Sequence, residues 1–266
     1  MPRYPMRFLL LPLLLVHSLI FAATEIPAEI ETCMKQNLPV STMAQSIELR
    51  ARDRSRYESV LQANVFLKRT DQDNFRVMMH FSEPADIRGA RFLIVQKQPQ
   101  NEMYIYMPGL FKVRRITSKH ISSSVMGTDF SYEDFERLHG VLSDIQIEQQ
   151  ADEVLAGRPA YVLVSHPSSE SGYKKIASYI DKETCIPVRT DLFGTNGQLR
   201  KQMTVDPARL QNRDGIWFPS ELLMKDFRDK TETSLKINKL THGMELPDAL
   251  FDETQLKQAE IPDISP

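Results

Sequence analysis

Hydrophobic and polar residues alternate with a period of two along most of this chain. Tyr57, Leu61, Ala63, Val65 and Leu67 share one phase, while Glu58, Gln62, Asn64 and Lys68 share the other. Phe75, Val77, Met79 and Phe81 alternate with Asn74, Arg76, His80 and Ser82. Leu199, Met203 and Val205 alternate with Arg200, Gln202 and Thr204. Such segments are antiparallel strands with one packed and one wet face. Asn196-Gly197 and Asp214-Gly215 are hairpin turns, and Gly157-Arg158-Pro159 links two further strands. The alternation predicts strands near residues 42–52, 57–69, 73–82, 90–97, 102–107, 111–116, 143–155, 159–166, 173–181, 186–194, 198–206, 215–227 and 231–241. With some of these merged, the count is about eleven. So many strands in one chain imply a strongly curved sheet or barrel, and an interior that side chains leave unfilled becomes an apolar cavity.

Three regions depart from the period. Residues 25–36 place Ile26, Ile30, Cys33 and Met34 on one helical face, and Asn37 and Pro39 end the helix. A helical insertion is expected around residues 117–140. Residues 246–251 begin a C-terminal helix or clasp.

The first residues read as an export signal. Arg3 and Arg7 precede an apolar run over residues 8–21, and Ala22, Ala23 and Thr24 are small enough for cleavage. Residues 1–23 are therefore expected to be a signal peptide, residues 24–266 a single mature domain, and the periplasm its location. The 266-residue chain has 33 Lys and Arg against 35 Asp and Glu. Without Arg3 and Arg7 the count is 31 against 35, a net charge of about −4. No basic tract is present, so nucleic acid is not an expected partner. An even pair of cysteines, Cys33 and Cys185, predicts a disulfide in an oxidising compartment, with two buried thiols as the alternative.

Catalytic spacings are missing. The chain has no nucleophile elbow, zinc-protease helix, phosphate loop or dinucleotide fingerprint. His80, His120, His139, His166 and His242 show no paired spacing, so neither a metal nor a cofactor is expected. The carboxylates Asp129, Glu133, Asp134 and Glu136 are candidates for acid–base work, but helix capping accounts for them better. Asp129 and Ser131 can cap a helix whose first turn carries Glu133 and Asp134, with Phe130 and Phe135 packing beneath it. Tyr132 can bury its ring and keep its hydroxyl wet. The Met103-Tyr104-Ile105-Tyr106-Met107 run is apolar on both faces. It reads equally as a central strand and as the wall of a ligand site, to which methionine suits variable shapes. Arg114 and Arg115 follow, placed to meet an anionic head group, a partner, or the acidic 129–136 block.

The run Tyr104, Tyr106, Pro108, Arg114, Arg115, followed by Met126-Gly127-Thr128-Asp129-Phe130-Ser131-Tyr132-Glu133-Asp134, resembles the central signature of the outer-membrane lipoprotein-sorting (LolA/LolB-like) proteins. Residues 179–184, the hairpin at 196–199 and the ending at 246–251 resemble that family too. The resemblance covers most of residues 30–256 and points to its larger, less characterised branch. It implies a mainly β fold, a half-open antiparallel barrel of about eleven strands with a helical lid over a hydrophobic cavity. It also implies a monomeric, non-enzymatic carrier of a lipid or acylated lipoprotein, bound for the outer membrane, and a possible association with an inner-membrane RND-type transporter. The wall residues expected are Phe75, Val77, Met79, Met103, Ile105 and Met107; the lid residues are Met126, Phe130, Tyr132 and Phe135. The alternative is an accessory module that docks on such a transporter without cargo. A hydrolase with a dispersed active site is a third reading.

Overall fold

The computed structural model describes residues 26–70, 74–97, 101–139 and 146–264; the expected signal peptide over residues 1–23 lies outside them. Helix α1, Ala28–Lys35, opens the described chain. Six strands follow as β1 (Thr42–Arg52), β2 (Glu58–Arg69), β3 (Phe75–Glu83), β4 (Arg91–Val95), β5 (Glu102–Met107) and β6 (Lys112–Ile116). After helix α2, Tyr132–Leu138, come β7 (Gln146–Leu155), β8 (Arg158–His166), β9 (Tyr173–Asp181), β10 (Pro187–Gly194) and β11 (Leu199–Val205). The last strands are β12 (Leu210–Arg213), β13 (Ile216–Pro219), β14 (Glu221–Asp226) and β15 (Thr231–His242).

Thirteen of these strands form one antiparallel sheet in the order β6-β5-β4-β3-β2-β1-β15-β14-β11-β10-β9-β8-β7. Two meanders run outward from a seam, where β1 pairs with β15 and Leu49 lies opposite Leu235. β6 and β7 are free edges. The expected barrel is therefore corrected: the sheet is not closed, and the described residues hold fifteen strands where about eleven were expected. The expected strand over 215–227 breaks at Ser220, whose N–H donates to the Arg209 carbonyl, 3.2 Å away. Its first part, β13, folds back on β12 as a separate two-stranded hairpin. The insertion expected around 117–140 is mostly loop: a 3-10 turn at Ser118–His120, then the seven residues of α2.

The alternation has the physical result expected of it. Leu61, Ala63, Val65 and Leu67 of β2 enter the main core, as do Phe75, Val77, Met79 and Phe81 of β3. Tyr57 does not, being 71 % exposed just before β2. The other face is not wholly wet. Phe66, Met78 and Leu93 point to it, yet all three are fully buried. Residues 244–264 cross that face as an irregular strap, packing Leu250, Phe251 and Leu256 on it. The C-terminal clasp thus contains one 3-10 turn, Asp248–Phe251. A non-helical strap leaves carbonyls without partners. Three cations of the sheet supply donors: Lys68 to Leu246, Arg76 to Phe251 and Arg91 to Leu256.

Candidate functional site

The concave face is only partly filled. A cavity of about 320 Å³ lies against strands β1, β2, β8–β11, β14 and β15. Leu163, Ile176, Leu192, Met203, Met224 and Ile237 form much of its floor. The lining is predominantly apolar, with Gln45, Ser165, Ser178 and Thr190 as small or uncharged polar interruptions and Asp134, Arg137 and His139 as ionisable ones. Three elements roof it: the end of α1 and residues 37–39, the last turn of α2, and the β13 side of the hairpin. The volume is at the lower end of the ~300–1,000 Å³ usual for small-molecule sites. A second depression of about 340 Å³ beside Arg209, Glu221 and Lys236 is shallow and open to solvent, without an apolar enclosure.

The roof is tied down by covalent and polar links. Cys33 of α1 is bonded to Cys185, with Cα atoms 5.3 Å apart, well inside the range such a bond requires. The chain thus adopts the disulfide, and not the alternative of two free thiols, and Cys185 itself lines the cavity. Asn37 donates to the Thr184 carbonyl at 2.7 Å and accepts from the Trp217 N–H at 2.9 Å. One amide side chain therefore couples α1, the disulfide loop and the hairpin.

Helix α2 is held by its acids. Ser131 caps it: its hydroxyl accepts from the Asp134 N–H at 3.3 Å, while the Asp134 carboxylate accepts from the Ser131 N–H at 2.8 Å. Asp134 also pairs with Lys201 of β11 at 2.9 Å and accepts from the Tyr173 hydroxyl of β9 at 2.9 Å. Both members of that pair are nearly inaccessible, with side chains 5 % and 2 % exposed for Lys201 and Asp134. Asp129 does not cap the helix; it accepts from the hydroxyls of Thr231 and Thr233 on β15. Glu133 accepts from Ser171 and from the Gly172 N–H, 2.8 and 3.0 Å away. A Cβ at Gly172 would stand 2.8 Å from that Glu133 oxygen, so glycine is needed for the approach. Glu136 accepts from Asn101. Burial raises the carboxyls of Asp129, Glu133 and Glu136 above their ordinary values. The capping expected of Ser131 and the first-turn acids is met by Ser131 with Asp134, while Asp129, Glu133 and Glu136 anchor the segment through partners outside the helix.

The residues named from the sequence fall into three places. Phe75, Val77, Met79 and Met103 are buried in the main core cluster, with Met107 packed against it. Ile105 lies opposite Phe92 on the same strand phase and is half-buried. None of these six lines the cavity. Among the lid residues, Phe130 and Phe135 are buried with rings 5.3 Å apart, and Tyr132 stacks at a tilt on Phe92 at 5.0 Å. Met126 sits in a left-handed turn and packs partly on the core; of the four, Phe135 alone reaches the cavity. Arg114 and Arg115 lie on edge strand β6, and Arg115 pairs with Glu102 at 3.2 Å. The cavity wall missed by sequence reading comes from β8–β11 and β14. Its signal was present in Leu163, Ser165, Ile176, Ser178 and Ile180, which alternate in phase.

An uncapped antiparallel sheet with a roofed apolar hollow defines the class: this is the fold of the outer-membrane lipoprotein-sorting, LolA-like proteins. A protein domain from Vibrio parahaemolyticus, described as outer-membrane lipoprotein-sorting, superposes with a TM-score of 0.76 at 22% identity, covering 86% of this chain and 97% of that one. A DUF1329-family protein from Desulfovibrio piger gives 0.78 at 21% identity, over 86% and 96%. A LolA superfamily protein from Nitrosomonas europaea gives 0.65 at 17%, over 84% and 96%. At such identities the likeness is one of fold. The chain belongs to the family whose model, described as that of an uncharacterized protein, matches residues 73–258. No curated protein matches the sequence.

Proposed function

We infer that this protein is a periplasmic, single-domain carrier that holds the acyl part of a lipid or lipoprotein in its concave cavity, for transfer towards the outer membrane. The observation that carries this reading is the unfilled apolar volume of about 320 Å³. Bulkier apolar residues at Ser165, Ser178 and Thr190 would close it, yet small polar ones stand there. The likeness in fold to lipoprotein-sorting proteins supports the same reading. An acyl chain entering the cavity gains about 0.8 kcal/mol per buried methylene, and the site binds without catalysing. Native mass spectrometry of protein purified from its own periplasm, followed by lipid extraction, tests the reading. A bound lipid or acylated protein is expected; a protein that stays empty when offered lipids refutes it.

A second reading, docking on an inner-membrane RND-type transporter, is favoured by one observation. Leu110 and Phe111, at the β5–β6 tip, are 52 % and 70 % exposed beside Lys112 and Arg114. Loss of co-purified transporter in L110E/F111E, with lipid binding intact, is the result this reading expects.

A further inference from the structure

Charged side chains in an apolar hollow are costly unless they have partners. Among the described residues, buried polar atoms without a hydrogen-bond partner occur on His80, Arg91, Arg137, Arg200 and His242. Only Arg137 among these lines the cavity. It lies in the last turn of α2, and its Nε is the unpartnered atom. The helix supplies three carboxylates, but each is engaged elsewhere: Glu133 by Ser171 and Gly172, Asp134 by Lys201 and Tyr173, Glu136 by Asn101. Arg137 influences Glu133 and Glu136 only through space, with no ion pair to either. His139, two residues on, lines the same wall. Its Nδ1 donates to the Phe135 carbonyl at 2.8 Å, leaving Nε2 as the ring's other hydrogen-bonding atom.

We propose that the cavity takes an amphiphile with an anionic head group, phosphate or carboxylate, and that Arg137 binds that head while the apolar floor takes the tail. This rests on the carrier reading and names its ligand class. A guanidinium presents a fork of five donors matched to such oxyanions. The floor formed by Leu163, Ile176, Leu192 and Met203 offers it no countercharge, and the Asp134 carboxylate in the lining is already paired with Lys201. The carbonyls at this end of α2 weaken the attraction for an anion but supply no countercharge, and His139 already occupies one of them. A neutral amphiphile entering the same space leaves the Arg137 Nε unsatisfied and desolvated, which disfavours it.

The chain's one tryptophan, Trp217, lines the cavity and reports occupancy by fluorescence. The exported protein would be titrated with lysophosphatidylglycerol, with monoacylglycerol of the same acyl chain, and with inorganic phosphate. The anionic amphiphile is expected to bind about tenfold tighter or more than the neutral one. Arg137→Gln should abolish that preference, weakening the anionic amphiphile and relieving the penalty on monoacylglycerol until the two affinities meet, and Arg137→Lys should keep part of it. Equal affinity for the two amphiphiles in the unaltered protein overturns the assignment, as does a preference that survives Arg137→Gln. Phosphate binding as tightly as the amphiphile overturns it in favour of a free-anion site. Binding of neither amphiphile overturns the carrier reading itself. The comparison in unaltered protein decides the matter even if Arg137→Gln does not fold.

Discussion

Removing the amine of Lys201 tests how α2 is held. The variant Lys201→Met keeps the stem's volume and deletes a charge that is 2.9 Å from Asp134, with both side chains almost inaccessible. It also removes a 2.6 Å bond to the Asp129 carbonyl. Breaking a buried pair on one side costs about 3–5 kcal/mol, because the remaining charge is stranded. Asp134 retains donors in the Ser131 N–H and the Tyr173 hydroxyl, so the low end, about 3 kcal/mol, is expected. In a domain of this size each kcal/mol moves the melting point by about 2–4 °C, so Tm should fall by roughly 6–12 °C. Asp134→Asn with Lys201→Met strands no charge and should recover most of the loss. The assay is thermal and urea unfolding of the four members of a double-mutant cycle at pH 7. A single-variant loss below about 1 kcal/mol, or a double variant costing the sum of the singles, would refute the idea that a buried ion pair fastens this helix.

Other consequences follow from the same structure. Cys33 and Cys185 close a loop with a sequence separation of 152. Reduction or Cys185→Ser should therefore cost up to roughly 5 kcal/mol by chain entropy, and calorimetry with and without dithiothreitol reads it. Burial raises the Glu136 carboxyl above 4.5, so the stability it allows is complete below 4.5 and is lost as pH rises through the folded value. Glu136→Gln should melt above the unaltered protein at pH 7 and level with it at pH 4. His80 is shifted the other way, from 6.5 to about 4, by burial first and by Arg91 second. Its contribution is complete above 6.5 and is lost as pH falls towards 4; His80→Gln should flatten that part of the pH–Tm curve. Met203→Trp, which fills the cavity floor, should abolish uptake of lysophospholipid while changing Tm by only a few degrees.

Much of the sheet was legible in the sequence because its concave face obeys period two. Phe75, Val77 and Met79 went where their phase sent them. The C-terminal segment was legible as a helix or clasp, but not the face it covers, although the signature was there: Phe66 and Met78 stand in the phase assigned to water and break the alternation. No local rule says what will cover such residues when the covering segment is irregular. The capping of α2 by Ser131 was legible from the short polar side chain preceding an acidic turn. The destinations of Asp129 and Glu133 were not, since Thr231, Thr233 and Ser171 approach from far along the chain. The cavity was misplaced for a related reason. Alternation tells which face a residue takes, but only the roofing elements decide where that face stays open. Those elements join through Asn37 and the disulfide, across sequence gaps that pattern does not span.

The pairing of β1 with β15 has a consequence for the order of assembly. Within each meander, neighbouring strands lie close in sequence and can zip as they emerge. The seam is different: Leu49 must meet Leu235, and Thr231–His242 is the last strand made. Without that strand, β1 and β14 each lack the neighbour they share, so both halves of the sheet end in an unpaired central edge. The core of the whole sheet is therefore completed only by the last strand, when Leu235 closes on Leu49.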